Sequence, residues 1–176
     1  MPVLDIDGLT FTFPADWKAQ KFDEWSFYRN QFAKQRNGIK AIDALAIDPD
    51  KAAFFIEVKD YRHPETEKPS QLPAAIATKV LDTLAAMLPA KLNAVENEEK
   101  DLAAAILKCV SLRVIAHIEL PPRHIPVVDP ADVKQKLGQL LRAVDAHPKI
   151  VSMNDLKGMK WTVAKTEGSG AKLRLG

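Results

Sequence analysis

The sequence predicts an α/β protein with a mixed central β-sheet flanked by helices, and three features carry that expectation. Two apolar segments rich in Ile, Phe and Val, 39–47 and 52–59, are separated only by Asp48-Pro49-Asp50-Lys51 and read as an antiparallel hairpin. Segment 112–120 alternates Leu112, Val114, Ala116, Ile118 and Leu120 with Arg113, Ile115, His117 and Glu119, a long strand stopped by Pro121-Pro122. Helical periodicity separates these strands and follows the last of them, so helices and strands alternate and must share one layered core.

The remaining elements follow in order. Residues 9–13 alternate apolar residues with Thr and suit a short first strand ended by Pro14. Asp16 can cap a helix in which Phe22, Trp25, Tyr28 or Arg29, and Phe32 fall at helical spacing, and Asn37-Gly38 stops it. A polar loop spans 61–73, after which Leu72, Ile76, Val80, Leu84 and Leu88 mark an apolar helix face. Asn97 starts a second helix through Leu102 and Ile106. Asp129-Pro130 is a cap followed by proline at the first helical position, with Val133, Leu137, Leu140, Leu141 and Val144 as the buried stripe. Segments 150–153 and 159–164 read as strands, and a loose tail begins at about 166.

A chain of 176 residues is expected to form one domain with a core that needs no staples. Its hydrophobic fraction of 47% and charged fraction of 27% are those of a globular protein. No apolar run suggests a membrane span, and Met1-Pro2-Val3-Leu4-Asp5 is no secretory signal. Cys109 is the single cysteine, set among apolar residues as an inert thiol, which excludes a disulfide or a cysteine-based zinc site. The expected compartment is the cytoplasm. A net charge of +2 does not advertise a nucleic-acid binder. The charge is uneven, however, with an acidic run at Glu96, Glu98, Glu99 and Asp101 and many lysines from Lys134 onward.

The chemistry lies in Ile39 to Tyr61, where Asp43, Glu57 and Lys59 interrupt strands that are otherwise almost wholly apolar. Charges buried in this way are costly unless they pair or hold a metal. Glu57 and Lys59 are two residues apart on one strand and share a face. Asp43 sits on the neighbouring strand. Two carboxylates and an ammonium that converge suit phosphodiester chemistry: hard oxygens hold Mg²⁺, and the lysine adds a fixed positive charge. The geometry constrains the loop. A two-residue turn would set Asp43 opposite Ile56 and put Glu57 on the wrong face, so an odd-length loop or a bulge is required near residues 49–52.

A helix, an Asp-bearing strand, a hairpin and then Glu57-Val58-Lys59 resemble the PD-(D/E)XK nuclease superfamily, the restriction-endonuclease-like fold. The resemblance covers Phe22 to about Tyr61 in motif and the whole chain only in element order. Ile42, not proline, precedes Asp43, and the literal Pro49-Asp50 pair lies in the turn, too near Glu57 to supply the ligand. The resemblance implies a Mg²⁺- or Mn²⁺-dependent deoxyribonuclease for repair, restriction or defence against mobile elements. Asp43 and Glu57 would be its metal ligands, Asp43, Glu57, Lys59 and Glu24 its catalytic residues, and DNA its partner. A homodimer or an accessory protein would supply specificity, with no membrane involved. The alternative expectation is a non-catalytic nucleic-acid- or protein-binding module on the same fold.

Weaker candidates are Gln71 and Lys79, which can face the same cleft, and Asp60, Tyr61, Arg62 and His63 just past Lys59. Solvated polar residues would look the same. His117 reads as a hydrogen-bonded structural histidine, and His124 and His147 adjoin loops. Scattered histidines argue against a His-based metal site. Neither a Gly-rich phosphate loop nor a nucleophile elbow is present in the sequence.

Overall fold

The computed structural model describes residues 1–35, 38–62, 71–122, 128–156 and 158–166. Strands β1 (Val3–Ile6), β2 (Leu9–Thr12) and β8 (Thr162–Lys165) form an antiparallel three-stranded sheet. Strands β3 (Lys18–Lys21), β4 (Ala44–Ile47), β5 (Ala52–Asp60), β6 (Ser111–Glu119) and β7 (Lys149–Val151) form a five-stranded sheet in that order. Its β3–β4–β5 half is antiparallel and its β5–β6–β7 half parallel, so the central sheet is mixed, as the sequence predicts. Helices α1 (Leu72–Asn93), α2 (Asn97–Ile106) and α3 (Pro130–Leu140) complete the fold.

The two faces of the large sheet are covered differently. Leu45, Phe55, Val114 and Ala116 pack with α1, α2 and α3, whereas Ala44, Ala46, Ile56, Val58 and Ile115 pack with the three-stranded sheet. Helices were expected on both faces, yet the second face is closed by β1, β2 and β8. The sequence signal for that sheet was Asp7-Gly8. Both residues have positive φ (49° and 76°) and form the two-residue turn between β1 and β2, the conformation that Asp-Gly favours in hairpins.

The β4–β5 hairpin has the odd loop that the chemistry requires. Ile47 pairs with Ala53, and the Asp48 amide bonds the Ala52 carbonyl at 3.1 Å, leaving residues 49–51 as a three-residue loop. The Lys51 amide donates to the Asp48 carbonyl, and Lys51 takes a left-handed conformation (φ 59°) that returns the chain to the ladder. Asp48 Oδ1 accepts from the Ala52 amide at 2.8 Å and locks the turn. Ala44 faces Ile56 in this register, so Asp43 lies one step beyond, across from Glu57.

Two sequence expectations are corrected. Residues 16–32 do not form a continuous amphipathic helix. Lys18–Lys21 pairs with β4 as an edge strand, followed by a 3₁₀ turn (Phe22–Glu24) and a π-helical turn (Tyr28–Phe32). The apolar spacing still buries Phe22, Trp25, Phe27 and Phe32, because short turns can deliver the same contacts, and the ladder with β4 outweighs local propensity. The buried stripe of α1 also departs from every fourth residue. Steps of four advance about 400° on a helix that turns about 100° per residue, so the row drifts around it. Leu72, Ile76, Val80, Thr83, Met87 and Ala90 are buried, and Leu88 is 54% exposed. By length and composition α1 is apolar enough to cross a membrane (mean hydropathy 1.3), contrary to the reading of the sequence. In this fold its inner face packs on the sheet between α2 and α3.

α3 starts as expected, with Asp129 Oδ1 accepting from the Ala131 amide at 2.9 Å. Segment 162–165 joins the small sheet, and 167–176 lie outside the described residues.

The left-handed Lys51 yields a test of the hairpin. Lys51→Ile should cost about 1–2 kcal/mol, because a β-branched residue resists positive φ, whereas Lys51→Gly should leave stability unchanged or slightly raised. Urea denaturation of both variants measures this.

Candidate functional site

The site is built where β5 runs out beneath α1. Strand alternation puts Phe55, Glu57 and Lys59 on the helix-covered face, and the hairpin register brings Asp43 beside them. Segment 39–43, expected as strand, is irregular and tied to α1: the Lys40 amide donates to Asp82 Oδ2 (2.8 Å) and the Ile42 amide to Thr83 Oγ1 (3.2 Å). The Asp43 carbonyl accepts from the Phe22 amide at 3.0 Å. Its side chain then continues the ladder, with Oδ2 accepting from the Val58 amide at 2.6 Å. The structure thus brings Asp43, Glu57 and Lys59 together.

A fourth residue completes the group. Lys79 of α1 extends its ammonium between the carboxylates, 2.6 Å from Glu57 Oε1 and 3.7 Å from Asp43 Oδ1. Lys59 Nζ lies 3.1 Å from the same Glu57 oxygen. Two acids and two ammonium groups balance, which makes the burial tolerable. Solvent reaches the group from the lysine side, since the Glu57 side chain is 1% exposed and that of Lys59 30%.

Burial dominates the electrostatics. It pushes the Glu57 carboxyl up to about 7, reinforced by the neighbouring Asp43 and only partly offset by Lys79 and Lys59. Burial raises Asp43 as well, against Lys79, the Val58 amide and Lys59. For Lys59, burial disfavours the ammonium, but Glu57 and Asp43 outweigh it and leave its pKa raised.

The donor set fits a hard divalent cation. Glu57 Oε2 is buried without a hydrogen-bond partner, and Lys79 already puts a positive charge between the two carboxylates. Among the described residues no group of three or more His, Cys, Asp and Glu gathers as a metal cage. Two carboxylates alone suit Mg²⁺ or Mn²⁺, since Mg²⁺ keeps several of its waters, and do not suit structural zinc. Asp43 and Glu57 are the residues that would hold it.

Glu24 is not drawn into this group. Its Oε1 pairs with Lys21 at 2.6 Å and its side chain is half exposed. The neighbouring Asp23 is the acid that feels the site: burial raises its pKa, with Asp43 the next cause, and its Oδ1 is buried without a partner. Choosing Glu24 assumed a continuous helix, and the 3₁₀ turn changes which acid faces inward. Asp7, in the β1–β2 turn, also acts electrostatically on Asp43 and Lys59 and was not singled out from the sequence. The legible signal for Lys79 was a lone cation in the apolar first two-thirds of α1.

The other candidates lie elsewhere. Asp60 is buried and bonded to Arg62 (2.6 and 2.8 Å), Tyr61 is buried, and Gln71 is exposed at the start of α1. His117 is fully buried and structural, as expected, with Nε2 at 2.9 Å from Glu119 Oε1, which also accepts from the Met153 amide. His147 is exposed, its amide bonded to Asp145, and His63 and His124 lie outside the described residues. Cys109 is half-buried, its thiol pKa raised by burial. Glu99, read from the sequence only as part of an acidic run, is buried and accepts from the Ser26 and Phe27 amides at 2.6 and 3.1 Å.

Comparison with known proteins changes the functional reading. The chain is 33% identical to a cysteine–tRNA ligase of Neisseria meningitidis serogroup A / serotype 4A, over 69% of this chain and 22% of the relative. The chain therefore spans about a fifth of the length of the curated relative it matches. No known family matches the sequence, and no solved structure matches the chain. The resemblance to PD-(D/E)XK nucleases, and the deoxyribonuclease activity read from it, are corrected by this relative, which is a ligase named for tRNA and not a DNA-cleaving hydrolase. The physical reason is that Asp, Glu-x-Lys and a hairpin specify a local arrangement of charges. They do not specify the lineage or the reaction.

The raised Glu57 carboxyl predicts a pH-dependent stability. Its folded pKa of about 7 exceeds the unfolded value of 4.5, so the stability it contributes is present below pH 4.5 and lost as pH rises through 7. Metal-free Glu57→Gln, which mimics the neutral acid, should melt higher than wild type at pH 8 and match it at pH 4. Thermal denaturation in chelator at both pH values measures the difference.

Proposed function

We propose that this chain is a tRNA-binding domain of the cysteine–tRNA ligase kind, in which Asp43 and Glu57 hold one Mg²⁺ or Mn²⁺ and Lys59 and Lys79 engage a tRNA phosphate. The observation that carries the reading is the convergence of a buried carboxylate, a half-buried one and two ammonium groups, in contacts shorter than 4 Å, at one solvent-reached point. The relative's name supplies the nucleic acid, tRNA in place of the DNA expected from the sequence. Because the chain corresponds to 22% of that relative, the complete ligase activity is not assigned to it. The expected compartment remains the cytoplasm.

The residues divide the work. Asp43, held by the Val58 amide, is preorganised with one oxygen turned to the site. Glu57 offers a second oxygen and must be ionised to do so. When bound, the metal supplies a concentrated positive charge for a phosphate oxygen. Lys79, now paired to Glu57, is released toward the phosphate, and Lys59 stands on the solvent side of it. With a net charge of only +2, phosphate affinity depends on this centre more than on an overall basic surface.

Metal and tRNA binding are tested separately. Manganese affinity by calorimetry should rise about tenfold per pH unit up to about pH 7, where Glu57 is deprotonated, and level off above it. Asp43→Ala and Glu57→Gln should abolish that binding. Lys59→Ala and Lys79→Ala should keep the metal, weaken tRNA in fluorescence anisotropy, and each reduce the salt slope by about 1. Wild-type tRNA affinity in the Lys59→Ala, Lys79→Ala double variant, or no manganese binding at pH 8, would overturn the reading.

A further inference from the structure

The outer face of α1 carries a pattern that neither the core nor the site uses. Ala74, Thr78, Leu81, Ala85, Leu88 and Leu92 are all exposed, at spacings of 4, 3, 4, 3 and 4. Leu81, Leu88 and Leu92 are 49%, 54% and 63% exposed, and Val95 just past the helix is 72% exposed. None of the six seam positions is charged. A helix face exposed in this way, free of charge at all six positions, has the form that a two-stranded coiled coil uses as its seam. Asp82, which borders the seam, is engaged with the Lys40 amide.

We propose that this seam pairs with α1 of a second copy of the chain, in antiparallel orientation. Side chains in an antiparallel coil meet in layers that join the two kinds of seam position. With the twofold axis at Thr83, Ala74 meets Leu92, Thr78 meets Leu88 and Leu81 meets Ala85 of the other copy. Each of the six layers then joins one small residue to one leucine, so the layers have similar volumes and interdigitate. Parallel pairing would stack leucine on leucine and alanine on alanine, alternating crowded layers with hollow ones. The sequence of α1 is thus complementary to itself in one orientation. That argues for a second copy over an unrelated helix.

The size of the seam sets the strength of the contact. Its six positions span about 27 Å, and a helix about 10 Å wide gives a footprint far below the ~800 Å² per partner of a standard stable interface. The dimer is therefore weak and concentration-dependent. It also touches the site, since Lys79 lies between seam residues Thr78 and Leu81, and pairing steadies the turn of α1 that presents it.

Sedimentation velocity from 1 to about 500 µM tests the proposal. Wild type should shift from monomer to dimer, and Leu88→Glu, at an exposed position, should stay monomeric with unchanged circular dichroism. In a Cys109→Ser background, Leu81→Cys mixed with Ala85→Cys should form a disulfide-linked heterodimer, with little cross-linking of either variant to itself. A wild type that stays monomeric throughout, a dimer that survives Leu88→Glu, or cross-linking confined to Leu81→Cys with itself would overturn it.

Discussion

The carboxylate of Glu57 imposes the strictest constraint on this molecule. It sits 1% exposed on a strand that is otherwise core, and an isolated charge there would be prohibitively costly. Each neighbouring element answers that cost in a different way. The three-residue loop fixes the register that brings up Asp43, α1 interrupts its apolar inner face with Lys79, and β5 places Lys59 two residues on. The result is a balanced cluster that still leaves Glu57 Oε2 without a partner and the carboxyl proton held to about pH 7. Folding has left this centre short of its best stability, as is expected where a charged ligand completes the set.

The same sheet solves the opposite problem on its other face. There Asp60, Arg62, His117 and Glu119 pair with one another under the three-stranded sheet, with Phe11 edge-on to the His117 ring at 5.1 Å. Burial lowers the His117 pKa and keeps the imidazole neutral, against Glu119, which favours its charge. Bonds within this cluster use the oxygens of both acids, and the Met153 amide adds one to Glu119. Polar residues thus lie on both faces of β5. In one set a single guanidinium serves two acids, and in the other two ammonium groups serve two acids. This difference in charge balance sets the Asp43–Glu57–Lys59–Lys79 group apart as the candidate site.

The sequence made the hairpin, the long strands β5 and β6 and the three helices legible, because each has a strong local signal: a proline-acid turn, period-two burial, or a cap followed by proline. It also made the convergence of Asp43 with Glu57 legible, as a demand on loop length that residues 49–51 meet. Residues 16–32 were misread because Phe22, Trp25 and Phe32 keep a helical rhythm while Lys18–Lys21 has a stronger claim on the edge of β4. Asp23 and Asp7 were not seen because their proximity to Asp43 comes from tertiary placement of turns, which no local pattern records. The family reading failed for a different reason. Four charges around a strand end suit any chemistry that handles phosphate, so the motif is legible as a site long before it is legible as a reaction.

Helix α1 joins these arguments. Its inner stripe, Ile76, Val80, Thr83 and Met87, drifts with the true helical period and is sealed against the sheet. Its outer row, Ala74 to Leu92, runs at the same steps of three and four on the other side of the helix. Pro89 lies late in the helix, where it removes the bond that its amide would give to the Ala85 carbonyl. A helix built only to cover a sheet would fill its outer face with Lys and Glu, as amphipathic surface helices do. On this helix Lys79 and Asp82 both bond the body of the protein, so the only cation and anion before Lys91 serve the fold and the site and leave the outer row apolar.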